Sequence, residues 1–394
     1  MRLILKSFLL ILAIVLFTQC ERYTSVKIID ENFLEALIEQ GVDADGDGTI
    51  SFQEAADVKE LNIYYSDIFD LGGIESFVNL ETLRCGNNEF TSIDVSKNIT
   101  LKYLDIGHNK ISSLDISQNI NLETLVTMYN PLGSLDISKN TALKNLNCES
   151  NQLKSLDVSN NTALASLECV ANSMTSLDVS KNKALTRLRC WINQIESLDV
   201  SNNPLLTLLN CGNNKITILD LSGNKDLTGL YCDDNELSDL NIFNCTALTE
   251  LFCAYNRLSV LDVSDKPALK RLNCEENQLT SLDLSKSTSL EQLLCGTNQL
   301  KSLDISENSA LELLECPDNQ LTSLNTSNNP ELWLLYCGNN QISTLDISNN
   351  RKIYQLAINA MPSLTRVCVW EMPFPVEAYM AGSPNVYFTT DCSK

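Results

Sequence analysis

Residues 143–159 read L-K-N-L-N-C-E-S-N-Q-L-K-S-L-D-V-S. Leu146 and Cys148 flank an alternate residue, Asn147, so the two apolar side chains share one face of an extended segment. Asn151 follows three residues after the cysteine, where a short polar side chain can turn the chain and bond turn amides. Leu153 and Leu156 supply a second apolar stretch, and Asp157 reads as the acceptor of a further turn. The stretch is one coil: strand, turn, return, turn.

The same coil recurs every 21 residues, starting at Leu80, Leu101 and Leu122 and running through Leu332 to Ile353. The asparagine holds its place from Asn88, Asn109 and Asn130 through to Asn340. One such turn cannot bury its apolar face alone, whereas stacked turns share a continuous core. Parallel strands about 4.8 Å apart would set Leu104, Leu125 and Leu146 above one another.

The pattern L-x-x-L-x-C-x-x-N-x-L-x-x-L-D-V-S resembles the leucine-rich-repeat family, and especially the short-repeat bacterial kind related to internalins. The resemblance covers residues 58–360. It implies an α/β fold: a right-handed solenoid with a parallel β-sheet on the concave face and an irregular convex side. A small helical N-cap and an irregular C-cap are expected to close it. The resulting division is a leader over 1–20, a tether over 21–28, a helical cap over 29–57, the solenoid over 58–360 and a C-terminal cap over 361–394.

The whole chain has 394 residues, 44% of them hydrophobic and only 6% aromatic, which suits a core of stacked leucines. Its formal charge of −22 repels nucleic acid and anionic membrane faces. Arg2 and Lys6 precede an unbroken apolar run from Phe8 to Phe17, and Cys20 follows. The run is too short to favour a spanning helix and reads as a signal peptide. Its end resembles a bacterial lipoprotein cleavage site, which implies acylation of Cys20, although Phe17 and Gln19 stand where such sites carry Leu and a small residue. Ordinary cleavage with release, or an uncleaved anchor, are the alternatives. The expected place is the bacterial cell envelope, as an outer-membrane or surface lipoprotein, touching membrane only through the N-terminal lipid; secretion is the alternative. A monomer is expected.

Fifteen cysteines in an exported chain would suggest a disulfide scaffold. Eleven occupy one inward slot of the repeat, from Cys85 to Cys337. Ile106, Thr127 and Ile358 take the same slot elsewhere, so it is a packing slot, and its thiols behave as small hydrophobes. Cys245 replaces a loop asparagine found in most turns and reads as a lone thiol. Cys368 and Cys392 lie past the last regular turn. They are expected to bridge and close the C-terminal cap, as in related repeat proteins.

Residues 43–54, D-A-D-G-D-G-T-I-S-F-Q-E, match the calcium-binding EF-hand loop position by position. Asp43, Asp45 and Asp47 supply carboxylates, Gly48 the sharp bend, Thr49 a backbone carbonyl, Ser51 the ninth position and Glu54 a bidentate carboxylate. Sensor loops usually come in pairs; a single loop outside the cell reads as one structural Ca2+ site that orders the N-cap.

No catalytic constellation is visible, and the single histidine, His108, lies on an outward slot. The chain reads as non-enzymatic, a paired-carboxylate glycosidase being the weakest reading. Binding should use outward strand slots: Tyr103, His108, Met128 and Tyr129; Arg187, Arg189 and Trp191; Tyr231, Phe252 and Tyr255; Leu313, Leu334 and Tyr336. Aromatics and arginines are what interface hot spots prefer. The expected ligand is a protein. A glycan stacked on the same aromatics, or a role as a spacer that positions other surface proteins, are the other readings.

Overall fold

The computed structural model describes residues 25–392. The expected leader over 1–20, lipidation of Cys20 and the first part of the tether lie outside the described residues. Two compact units are present: one extends to Leu164 and includes Glu168–Ser173, the other comprises Ala165–Leu167 and Met174 onward. Each is a parallel-strand solenoid.

In the first unit, three-residue strands Glu60–Asn62, Thr82–Arg84, Tyr103–Asp105, Thr124–Val126 and Asn145–Asn147 pair in parallel. Leu61, Leu83, Leu104, Leu125 and Leu146 stand in one file, each at most 1% exposed. In the second, nine three-residue strands from Arg187–Arg189 to Gln355–Ala357 repeat the arrangement, with Leu188, Leu209, Leu230 and so on to Leu356 in register. A shorter sheet forms on the return side of the coil, where Ser197–Asp199 pairs with Ile218–Asp220. Thr344–Asp346, Arg366–Cys368 and Tyr387–Thr389 form another.

The cysteine slot is inward: Cys85, Cys148, Cys169 and Cys190 through Cys337 are completely buried. Burial pushes the Cys148 and Cys190 thiols up to about 12, so they stay protonated and inert.

Asparagines join one turn to the next. Asn130 Oδ1 accepts from Ile111 N at 2.9 Å, and its Nδ2 donates to Ile106 O at 2.9 Å and Thr127 O at 3.0 Å. The residue before each such asparagine holds left-handed backbone, as at Asn87 (φ 54°), His108 (φ 53°) and Ile192 (φ 54°). The aspartates cap the second turn: Asp94 Oδ1 accepts from Ser96 N at 2.9 Å.

A second asparagine file was read from sequence as loop, and the structure corrects that reading. Asn98, Asn119 and Asn140 are fully buried. Asn119 Nδ2 donates to Val95 O and Asn98 O at 3.0 and 2.9 Å, and Asn140 Nδ2 repeats this one turn on. Cys245, Lys266 and Ser287 interrupt this file in three successive turns and are themselves buried, Lys266 being 2% exposed.

Helix α1 (Glu31–Glu39) and helix α2 (Phe52–Asp57) form the N-terminal cap. Asp30 caps α1 through Phe33 N and also accepts from Phe69 N and Asp70 N, which ties the helix to the first turn. Phe33 and Leu37 are fully buried, and Phe33 meets Phe77 at 6.5 Å.

The segment 361–394, expected as an irregular cap, carries strands of both sheets. Ala378–Tyr379 extends the main sheet from Gln355–Ala357. Leu356 pairs with Ala378 and Leu345 with Val367, so the beat lengthens to 22 and leucine is lost from the file. Cys368 is bonded to Cys392 here.

Candidate functional site

The outward face of the main sheet carries the side chains between the fixed leucines. In the first unit, His108 and Tyr129 stack with ring centroids 4.4 Å apart and planes 16° from parallel. Both sit at the left-handed position after the strand rather than on it. Tyr129 OH donates to Glu149 Oε1 at 2.9 Å, which orients the ring. Arg84 lies over Tyr103, 4.7 Å from its centroid. Met128 is half-buried, its thioether meeting Asn147 Nδ2 at 3.7 Å. Burial raises the Asp105 carboxyl above its ordinary range, against an opposing bond from Gly107 N and the Arg84 charge.

In the second unit, Arg187 and Arg189 flank Leu188 on one strand, with Arg187 exposed and Arg189 half-buried. Trp191 and Ile192 are each 39% exposed just beyond. Two to three turns on, Tyr231 stacks on Phe252 at 5.2 Å, and Arg271 lies over the Phe252 ring, 5.4 Å from its centroid. Arg271 Nη2 meets Glu250 Oε1 at 2.6 Å, and Tyr231 OH donates to the same carboxylate. Tyr255 projects from the left-handed position, 58% exposed. Burial lifts the nearby Asp233 carboxyl to about 6.

Leu334 does not belong to an accessible surface, contrary to the sequence reading. It is 6% exposed, flanked in register by Leu313 and Gln355 on adjacent strands. Strands about 4.8 Å apart set the side chains of both neighbours against an outward leucine and cover it. Val170 is likewise covered, at 3% exposure. Leu313 and Tyr336 are half-buried. Arg84 and Arg271 were missed as site residues, although a comparison at 21-residue offset sets Arg271 beside Glu250.

The loop of residues 43–54 gathers its carboxylates: ligand-capable oxygens of Asp43, Asp45 and Asp47 lie within 4.8 Å of one another. Gly46 and Gly48 hold φ of 73° and 82°, which brings the chain around them. Asp43 accepts from Gly46 N, Asp47 N and Gly48 N, and Thr49 N and Oγ1 both donate to Asp47 Oδ1 at 2.8 Å. Glu54 forms a capping box with Ser51 at the start of α2 and accepts from Ala44 N at 2.8 Å. The bond from Ser51 N, with those from the Ser51 side chain and Ala44 N, lowers the Glu54 carboxyl. The donor set is all oxygen, with four carboxylates among it, which fits a hard divalent cation such as Ca2+.

Among the described residues, no helix is long and apolar enough to cross a membrane. A family model described as leucine-rich repeat matches residues 97–117 and 212–229. No curated protein matches the chain. The functional domain of InlJ from Listeria monocytogenes, described as including a cysteine ladder, is 34% identical with a TM-score of 0.82, over 90% of this chain and 82% of that one. A leucine-rich-repeat protein of Leptospira interrogans shares the fold at 24% identity and a TM-score of 0.69, over 79% of this chain and 92% of that one. An internalin, inlF of Listeria monocytogenes, does so at 19% identity and a TM-score of 0.57, over 93% and 96% of the two chains. With its leucine, asparagine and cysteine files in register, the chain belongs to the leucine-rich-repeat family.

Proposed function

We propose that this chain is a non-enzymatic binding protein whose concave strand face engages a protein partner. The observation that carries this reading is the set of aromatic and arginine side chains on the strand face of each unit, several at strained positions. Bulky residues at left-handed backbone cost stability that glycine or asparagine would not. His108, Tyr129, Ile192 and Tyr255 accept that cost and leave their side chains accessible. Aromatic and arginine anchors dominate interface energies, and solenoids of this kind use the concave surface for recognition. Arg187 and Arg189 supply positive charge in an acidic chain and suit a carboxylate on the partner.

We further propose residues 43–54 as a structural Ca2+ site, with Asp43, Asp45, Asp47, Thr49, Ser51 and Glu54 as ligands. Acylated Cys20 tethers the chain at the bacterial envelope, and the Cys368–Cys392 bridge fastens the last strands. Exchange of Trp191, Phe252 and Tyr255 for alanine tests the proposal: capture of a protein partner should fall by more than tenfold, with melting unchanged. Unaltered capture would remove the concave-face reading. The stacked rings also suit a glycan, which the same variants would report in glycan capture.

A further inference from the structure

A cavity of about 670 Å³ opens on the strand face near the C-terminal end of the second unit. Of the residues assigned above to the protein partner, Tyr336 lines it and Leu334 stands in register beside its Gln355, while Trp191, Phe252 and Tyr255 do not line it. We propose that this cavity is a saccharide site, taking a pyranose ring of an uncharged oligosaccharide.

The shape comes from one small residue between two large ones. Tyr336 pairs with Ala357, and Ala357 with Tyr379, so the three stand in one row across successive strands. The two tyrosines are thus about 9.6 Å apart, twice the strand spacing. A ring in van der Waals contact with an aromatic face on each side needs roughly 7–8 Å. Every earlier turn, from Arg84 to Tyr336, carries a side chain larger than alanine in this slot. Ala357 therefore opens a gap that no preceding turn has. Tyr354 forms a further wall, 61% exposed and held by stacking on Trp333 at 5.2 Å. Tyr379 is also 61% exposed.

The polar groups match hydroxyls. Gln355, Asn359 and Glu377 line the cavity with three amide or carboxylate groups. Tyr336 OH donates to Gln355 Oε1 at 3.2 Å, which leaves Gln355 Nε2 as a donor for a ligand. The Asn359 amide and Glu377 carboxylate have no partner among the described residues. Asn359 rests against Gly338, where a Cβ would stand 2.5 Å from its Oδ1. The lining contains no Lys, Arg or His. A sulfated or uronic sugar would meet the Glu377 charge with no cation to offset it, so the ligand is uncharged. Aromatic faces for C–H surfaces and paired donors and acceptors for hydroxyls are together the chemistry of sugar recognition.

The test is saturation-transfer NMR on the whole chain with cellotriose, maltotriose, diacetylchitobiose and a heparin tetrasaccharide, in the wild type and two variants. Leu294 shows that leucine fits the Ala357 slot, so Ala357→Leu fills the gap without unfolding the turn. Tyr379→Ala removes one wall. The expected result is a signal from at least one neutral sugar, none from the heparin fragment, loss with Ala357→Leu, and about tenfold weaker binding with Tyr379→Ala. Silence of every neutral sugar, an undiminished signal in Ala357→Leu, or saturation by a tyrosine-containing tripeptide instead of a sugar would overturn the proposal. Binding of the protein partner is unaffected by Ala357→Leu, which keeps the two sites distinguishable.

Discussion

His108 and Tyr129 stack face to face while both hold left-handed backbone, φ 53° and 56°. The pair occupies equivalent positions of successive turns, 21 residues apart. The slot asks for glycine or asparagine, and Asn87, Asn213 and Asn339 take it elsewhere. Aromatic or β-branched residues there trade stability for an accessible side chain.

Ile192 tests that trade. It is β-branched, at φ 54° and 39% exposed. Ile192→Asn should raise the unfolding free energy by about 1 kcal/mol, as read from the denaturant midpoint, and weaken partner binding. A lower midpoint would show that the left-handed backbone carries no strain.

Lys266 occupies the second asparagine file, 2% exposed, with Nζ 3.3 Å from Asp265 O. The turns on this file use the amide to satisfy carbonyls 24 and 21 residues back, as Asn119 does with Val95 and Asn98. Lys266→Asn places a neutral donor before Ile242 O and Cys245 O. Stability should rise by about 1–3 kcal/mol, measured by urea unfolding. A fall would mean that the ammonium is better satisfied than asparagine could be.

Asp233 gives a pH dependence. Burial raises its carboxyl from 3.8 to about 6, while Ala254 N donates to Oδ1 at 3.0 Å. The folded chain therefore holds this proton more tightly than the unfolded chain. This group's contribution to stability falls as pH rises from about 4 to about 6 and stays low above that. Asp233→Asn keeps the acceptor and removes the charge. It should add on the order of 1–2 kcal/mol at neutral pH, and the gain should vanish below pH 4. An equal gain at both pH values would exclude charge burial as its origin.

Calcium should act on the N-terminal cap. At a hundredfold excess over its Kd, Ca2+ should stabilise the cap by about 2–3 kcal/mol. Chelation should then speed amide exchange over residues 43–58 and leave the turns beyond Leu101 unchanged. Equal exchange with and without chelator would show that the loop holds no structural Ca2+.

The leucine file was legible because an apolar residue every 21 positions leaves one way to share a core. The cysteine slot was legible because Ile106 and Ile358 share it. Lys266 was not, since a lysine among asparagines reads as a surface loop until the coil closes over it. The turn ending at Tyr379 was hidden because Ala378 replaces leucine and the spacing lengthens. Leu334 was misplaced because alternation predicts direction, while exposure also depends on neighbours one strand away. The saccharide cavity escaped notice because it is made by a missing side chain, at Ala357.

Recognition through the strand face can be read directly by cross-linking. A photoreactive phenylalanine analogue at position 191, and separately at exposed position 217 on the return side of the coil, tests it under irradiation with cell-surface protein. Position 191 should yield one discrete cross-linked partner and position 217 none. The same partner captured equally from both positions, or from 217 alone, would contradict it.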